Sequence, residues 1–266
     1  MDQQIDAPGN SDAAPDALPF VAPCRSIGLD APWRWLRLGW RDLCAAPVQS
    51  LSYGVGISLL SAGVSGFAYR YGTAWLVIML LSGFVFVAPV LGIGLYAMSA
   101  TLERGGRPSL AACLAASRRQ LGDSLVYSLI LMVICLLWVR AGSAVQIFFP
   151  EQALPTRFEL YSFFAIGSAV GSVFALVAFA ASAFSLPMLV DRRTDAVTAV
   201  VTSVNAVLRN KRTMLLWAVL IVLSVAIGFA TALIGLAVTM PLIGHATWHS
   251  YRETIDASDW PPNPNV

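Results

Sequence analysis

Two histidines and a glutamate near the C-terminus form the densest group of titratable side chains in the sequence. His245, His249 and Glu253 are spaced four residues apart, so all three lie on one side of a helix. Two imidazoles and a carboxylate can bind a transition metal, and one imidazole can bind haem iron. The competing interpretation is that they form hydrogen bonds between helix ends. Because no HExxH motif supports the metal site, we expect the structural role, no bound cofactor, and a partner for His245 on another helix.

The segments that must position these side chains are strongly apolar. Apolar residues make up 57% of the 266 residues and charged residues 12%, with a mean hydropathy of +0.70. Soluble domains are about 45–50% apolar and about 25% charged, so a soluble fold could not bury this excess. Six apolar runs predict membrane-spanning helices, at residues 51–69, 74–100, 125–139, 160–190, 214–230 and 232–248.

The last two runs can be interpreted as one helix or two, because no charged residue occurs from Met214 to Gly244. One straight helix from Met214 to Trp248 would be about 50 Å long, well beyond a hydrocarbon core of about 30 Å. We therefore expect two spans joined by a tight turn near Gly228–Thr231.

The placement of basic residues predicts the orientation, because cytoplasmic segments carry the excess of Lys and Arg. With six spans, fourteen of the seventeen basic residues lie inside, and Arg70, Arg140 and Arg157 lie outside. A five-span alternative changes only the side of Arg252 and the residues after it. The sequence thus predicts a multi-pass protein of a bacterial inner membrane with both termini in the cytoplasm.

An amphipathic helix on the predicted cytoplasmic side precedes each pair of spans. In the first, Arg34, Arg37 and Arg41 lie on a different face from Trp33 and Trp40, as in helices that lie in the headgroup plane of anionic lipid. The second helix starts at Pro108, and the third is capped by Thr194 or Asp195. The predicted apolar stripes are Trp33, Leu36, Trp40 and Leu43; Leu110, Leu114 and Leu121; and Val197, Val201, Val204 and Leu208.

The fold class that follows is an all-α, polytopic membrane bundle of about six spanning helices in three pairs. Residues 1–30, acidic and rich in Pro and Ala, predict a disordered tail rather than a signal peptide. Residues 31–253 form the membrane domain, and residues 254–266 form a short cytoplasmic tail. The net charge of only +2 favours no nucleic-acid partner.

Prolines and glycines within the spans indicate how the helices bend and pack. Pro89, Pro187 and Pro241 should kink their helices, either as static bends or as the broken helices of a transporter. The absence of acidic residues from the span interiors argues against proton-driven transport. Gly167 and Gly171 form a small-xxx-small face for packing within the chain or in a dimer.

Four stretches of the sequence are informative when they are taken together, at residues 33–43, 86–96, 186–189 and 241–249. The most specific of them is the last, PLIGHATWH. Together they resemble the bacterial integral membrane protein family called domain of unknown function 2189, and the similarity extends from about Ile27 to Glu253. The resemblance implies a multi-spanning membrane protein with no established activity, and it carries no catalytic residues.

Three functions are compatible with these features. The first is a non-enzymatic scaffold or accessory subunit, with a membrane-protein partner or a second copy of the chain on its cytoplasmic helices. The second is a channel or carrier for a small solute that uses the proline-kinked spans. The third is a haem or metal protein that uses His245 and His249.

Overall fold

The chain folds into α-helices joined by short connections. The computed structural model describes residues 19–72, 91–147 and 156–264, and every regular element in these residues is helical. The predicted all-α class is therefore confirmed for the described residues. The helices are α1 (Ala31–Ala45), α2 (Pro47–Tyr71), α3 (91–103), α4 (Leu110–Arg119), α5 (Leu121–Ile147), α6 (Arg157–Ser182), α7 (Ser185–Asp191), α8 (Ala196–Arg209), α9 (Lys211–Ala230) and α10 (Leu236–Thr254).

Four described segments are long and apolar enough to cross a membrane. They are Pro47–Tyr71, Leu125–Ala144, Arg157–Asp191 and Lys211–Ala230. These segments correspond to the first, third, fourth and fifth predicted runs. Most of the second run lies in residues 73–90, outside the described residues, and α10 is less apolar than the other four. An all-helical protein with four candidate spans is shown for the described residues, and the count of six stays a prediction.

The chain reverses direction between α9 and α10, so the apolar region from Met214 onward is two helices. Residues 231–235 form the turn, in which Ala232 and Leu233 have φ angles of 52° and 70°. These left-handed conformations turn the backbone sharply, and the Thr231 hydroxyl accepts a hydrogen bond from the Gly235 amide at 2.8 Å. The prediction of two helices is confirmed, with the turn centred slightly after the predicted Gly228–Thr231.

The amphipathic helices pack inward mainly through small residues, and most side chains of the predicted apolar stripes are exposed or half-buried. Among the stripe side chains whose burial the structure describes, only Leu43 is buried. Trp33 and Trp40 are 58% and 51% exposed, whereas Trp35 and Gly39 of the same helix are buried. The inward face of α1 therefore differs from the predicted stripe. The buried residues of α4 are Cys113, Ala116 and Ser117, and those of α8 are Ala196, Thr198, Ala199, Thr202, Ser203 and Ala206.

The helix starts follow from the capping residues. Asp195 accepts hydrogen bonds from the amides of Val197 and Thr198, both at 2.9 Å, so the predicted cap of the third amphipathic helix is confirmed. The second amphipathic helix begins at Leu110 and not at the predicted Pro108. The reason is that the Ser109 hydroxyl accepts from the Ala112 amide and acts as the N-cap.

The segments on either side of the helical bundle are packed against it. The Ala22 amide donates to the Thr202 hydroxyl at 3.1 Å, and the Ile27 amide donates to the Asn210 side chain at 3.0 Å. Trp260, beyond α10, is only 2% exposed. Residues 19–30 thus differ from the predicted disordered tail, because their backbone groups are paired with α8 and Asn210. Residues 1–18 lie outside the described residues.

Candidate functional site

The C-terminal half of α10 is buried because three helices cover it. Helix α1 crosses α10 at Gly39, where an added Cβ atom would lie 2.7 Å from the Ala246 amide nitrogen. Helix α2 approaches as closely at Gly54, where a Cβ atom would lie 2.0 Å from the Ala237 carbonyl oxygen. On a third side, α10 carries Gly244 against Leu95 of α3. These glycines allow backbone contact between helices and so enclose the polar residues of α10.

His245 lies at the centre of this region and is fully buried. Its Nε2 atom is 2.9 Å from the Ser50 hydroxyl of α2, and its Nδ1 atom is 2.7 Å from the Ser99 hydroxyl of α3. Both ring nitrogens therefore have a partner from another helix. The expectation of an interhelical hydrogen bond to this side chain is confirmed.

The direction of these hydrogen bonds follows from the single proton of the Ser99 hydroxyl. Ser99 donates that proton to the carboxylate of Asp42 on α1 at 2.8 Å. The Ser99 oxygen must then accept from His245 Nδ1, which assigns the imidazole proton to Nδ1 and leaves Nε2 as acceptor for Ser50. The result is a buried hydrogen-bond chain from Ser50 through His245 and Ser99 to Asp42.

His249 joins the same chain from the other side of Asp42. Its Nε2 atom lies 2.8 Å from the Asp42 carboxylate, and both side chains are about five-sixths buried, at 16% and 15% exposure. A carboxylate can only accept hydrogen bonds, so Asp42 accepts one from the Ser99 hydroxyl and one from the His249 ring. We call Ser50, His245, Ser99, Asp42 and His249 the polar chain.

Glu253, the third predicted metal ligand, is engaged elsewhere. Its carboxylate accepts from the Trp35 indole nitrogen at 2.8 Å and from the Arg34 guanidinium. The structure brings His245 and His249 into one hydrogen-bond chain and places Glu253 in a separate cluster with α1. In the described residues no three His, Cys, Asp or Glu side chains are grouped as a metal site would need.

A second polar cluster joins the end of α10 to α3 and α7. The Asp191 carboxylate, 8% exposed, accepts from the Tyr251 hydroxyl at 2.9 Å and from Arg252 at 3.2 Å. Glu103 accepts from the Trp248 indole at 2.8 Å and from Arg252 at 3.1 Å. The Tyr251 hydroxyl is the donor to Asp191, because a carboxylate can only accept.

Several partners in these clusters were missed by sequence reasoning. Ser50 and Ser99 carry no signal in the sequence, since serine is common in membrane helices. Asp42 and Asp191 had one available signal. Each is a lone acid beside a basic or apolar stretch, and a buried acid requires a donor.

The predicted helix-kink prolines and helix-packing glycines lie in different environments. Pro241 is buried inside the continuous helix α10, and Pro187 is buried in the short helix α7. Pro89 lies outside the described residues. A Cβ atom at Gly171 would lie 3.7 Å from the Trp138 indole nitrogen of α5, and one at Gly167 would meet no atom within 4 Å. Close contacts between helix backbones are found instead at Gly39 and Gly54, and a dimer contact through Gly167 stays a prediction.

The predicted membrane-surface residues lie on the outer side of α1. Trp33, Arg37, Trp40 and Arg41 are all exposed, and they occupy the face opposite Gly39. Arg34 is exposed as well, but it forms ion pairs with Asp30 and Glu253. Arg37 and Arg41 are thus the two cations of α1 that face outward without an ion pair among the described residues.

Comparison with known proteins finds a family model that matches part of the chain. Residues 76–191 match the model of the family described as predicted integral membrane protein (DUF2189). The resemblance to this family is confirmed. The DUF2189 match covers the second predicted span and helices α3 to α7, and it does not include the segment 241–249 that we considered most specific. No curated protein and no solved structure matches the chain.

Proposed function

We propose that this integral membrane protein is a non-enzymatic scaffold or accessory subunit of a membrane complex in the bacterial inner membrane. The observation that supports this proposal is the state of the polar chain. Its hydroxyl, imidazole and carboxylate groups are engaged in hydrogen bonds between four helices, α1, α2, α3 and α10. Such groups hold helix ends together and are not directed at a substrate.

Six spans with both termini in the cytoplasm are the topology that we propose. Helix α9 is an apolar candidate span, and α10 returns antiparallel along it after a tight turn. At 1.5 Å per residue, the 19 residues of α10 extend about 28 Å, close to the thickness of the hydrocarbon core. Its lower hydropathy comes from polar residues that α1, α2 and α3 shield, so lipid does not contact them.

Contacts among the connecting segments support the same topology. Arg252 at the end of α10 contacts Glu103 at the end of α3 and Asp191 at the end of α7. Asn210, before α9, contacts residue Ile27 of the N-terminal segment. Segments that contact one another lie on the same side of the membrane. An even number of spans must therefore separate each contacting pair, as the six-span topology requires. That side also carries most of the basic residues, which favours the cytoplasm.

The outward faces of α1, α4 and α8 offer the contact surface for a partner or for lipid headgroups. Exposed tryptophan and arginine alternate on α1, the combination found at membrane interfaces. We propose that Trp33, Arg37, Trp40 and Arg41 meet anionic headgroups, and that the adjoining cytoplasmic face contacts the partner protein or a second copy of the chain.

Site-specific photo-cross-linking in living cells tests the scaffold proposal. A photo-reactive residue replaces Leu208 on the outward face of α8, and a matched variant carries it in place of Trp138, an exposed residue of the candidate span in α5. A discrete protein adduct from position 208, absent from position 138, is the expected result. Adducts with lipid alone from both positions would contradict a protein-binding role.

A carrier is the second candidate, and one cavity favours it. The cavity has a volume of about 300 Å³ and lies between α2, α3, α5 and α10, with Leu60, Tyr96 and Met240 among its mainly apolar lining residues. Such a lining suits an uncharged solute. Solute uptake by purified protein in proteoliposomes would favour the carrier over the scaffold.

A further inference from the structure

A pocket on the basic side of the protein is lined by three arginines. It lies where the end of α4, the link between α7 and α8 and the C-terminal segment meet, and its volume is about 260 Å³. Its lining residues are Arg119, Gln120, Arg192, Arg193, Thr194, Asn263 and Pro264, which we call the arginine pocket. No carboxylate is among them, so the pocket is cationic.

The three guanidinium groups of the arginine pocket are not equivalent. Arg192 donates through Nε to Asp191 at 2.9 Å and through Nη1 to the Trp260 carbonyl at 2.9 Å, so it holds the fold together. Arg119 and Arg193 are exposed and make no ion pair with any described residue. These two guanidiniums therefore have donors available for a ligand.

The walls of the arginine pocket are fixed by hydrogen bonds. Gln120 and Asn263 both donate to the Leu189 carbonyl oxygen, and Asn263 also donates to the Gln120 side chain at 3.2 Å. The Arg193 amide donates to the Pro261 carbonyl at 2.8 Å. A pocket whose walls are held in this way loses little conformational freedom when it binds a ligand.

A hydroxyl group at the edge of the arginine pocket adds a further polar group. The Thr194 hydroxyl oxygen is shielded from solvent, and it has no hydrogen-bond partner among the described residues. A buried hydroxyl without a partner is unfavourable, and an anionic oxygen within reach would accept its hydrogen bond.

We propose that the arginine pocket binds a phosphate group. Two planar guanidiniums and one hydroxyl match the several oxygens of a phosphate, because arginine donates in pairs to such oxygens. The Asp191 carboxylate already neutralises Arg192, so the unpaired charge of Arg119 and Arg193 matches a phosphate ester of charge −1 to −2. The phosphate belongs either to a lipid headgroup or to a soluble phosphate compound.

Thermal unfolding of the full-length protein in a non-ionic detergent provides the test. The midpoint is followed in titrations with inorganic phosphate, with a short-chain phosphatidylglycerol and with the matching diacylglycerol, which lacks the phosphate. A ligand that binds only the folded protein raises the midpoint in a saturable way. Three double variants are compared with the wild type: R119Q/R193Q, R119K/R193K and, as the control, R107Q/R212Q, which replaces two exposed arginines outside the pocket.

We expect the phosphate-bearing ligand to raise the midpoint, and its apparent affinity to fall about tenfold or more in R119Q/R193Q. The lysine pair should bind with intermediate affinity, and R107Q/R212Q should bind like the wild type. Saturation by inorganic phosphate indicates a soluble ligand, and saturation by phosphatidylglycerol alone indicates a lipid headgroup. No saturable shift with either ligand, or equal losses in R119Q/R193Q and R107Q/R212Q, would overturn the proposal.

Discussion

The Nδ1 atom of His245 lies 2.7 Å from the hydroxyl oxygen of Ser99, and that hydroxyl donates its only proton to Asp42. The pair therefore sets the tautomer of the imidazole and links α10 to α3 and α1. Both ring nitrogens of His245 are hydrogen-bonded to hydroxyls, and a metal ion would have to displace one of them. The polar chain is best explained as a structural connection.

Removal of one hydroxyl from the polar chain should lower stability. Ser99→Ala removes the hydrogen-bond partner of the His245 Nδ1 donor and one of the donors to the Asp42 carboxylate, both in a buried region. The free energy of unfolding should fall by about 1–3 kcal/mol. Thermal unfolding in detergent measures the loss. Ser172→Ala is the matched control, because the exposed Ser172 hydroxyl donates only to the Ser168 carbonyl of its own helix. Equal midpoints for both variants would show that the polar chain does not stabilise the fold.

Two glycines of α2 should respond oppositely to alanine. Gly54→Ala places a Cβ atom 2.0 Å from the Ala237 carbonyl oxygen of α10, so the two helices must move apart. The substitution should lower the free energy of unfolding by about 1–3 kcal/mol. Gly56→Ala meets no atom within 4 Å and should be neutral or stabilising, because alanine favours helix. The thermal unfolding midpoints of the two variants measure the difference. A decrease at Gly56→Ala as large as that at Gly54→Ala would contradict the close approach of α2 and α10.

Much of the architecture could be predicted from the sequence because bilayer thickness limits helix length. The apolar runs, the separation of α9 from α10 and the Asp195 cap all follow from hydropathy, helix rise and capping chemistry. The inward face of α1 could not be predicted from its apolar stripe. In a membrane protein, large apolar residues can face lipid, and close packing is achieved at small residues such as Gly39.

The candidate site was only partly predictable for a similar reason. The spacing of His245 and His249 identified the buried polar region. Their partners Ser50, Ser99 and Asp42 come from helices far apart in sequence, and only the packing of α1, α2 and α3 on α10 brings them together.

Reporter fusions test the proposed topology. Fusions after Arg70 and after Arg157 should report the periplasm, because these residues lie at the outer ends of the proposed pairs. Fusions after Arg107, Lys211 and Glu253 should report the cytoplasm. A periplasmic signal from the last fusion, with the others unchanged, would show that α9 and α10 cross the membrane once in total.

The outer face of α1 should bind anionic lipid. A synthetic peptide of residues 31–43 should become helical with anionic vesicles, as circular dichroism would show. Replacement of Arg37 and Arg41 by Gln should weaken its binding by about 1 kcal/mol per charge. Equal binding to neutral and anionic vesicles would remove the electrostatic part of this account.

The cap of α8 predicts a pH-dependent contribution to stability. Although burial acts to raise the pKa of Asp195, hydrogen bonds from the Thr198 side chain and from backbone amides lower it overall. A carboxylate with a lowered folded-state pKa stabilises the protein above its unfolded pKa and loses that effect as pH falls through the folded pKa. Asp195→Ala should therefore lower the free energy of unfolding by about 1 kcal/mol at neutral pH and by less in acid. Asp195→Asn should keep most of the cap, and a loss independent of pH would contradict this account.

The metal and haem content of the purified wild-type protein tests the structural account of the polar chain most directly. Elemental analysis and the absorption spectrum are recorded for the wild type and for His245→Ala and His249→Ala. The account predicts no stoichiometric metal and no haem band in the wild type, together with a lower unfolding midpoint for His245→Ala. Near-stoichiometric metal or a haem band in the wild type, lost on substitution of either histidine, would contradict it.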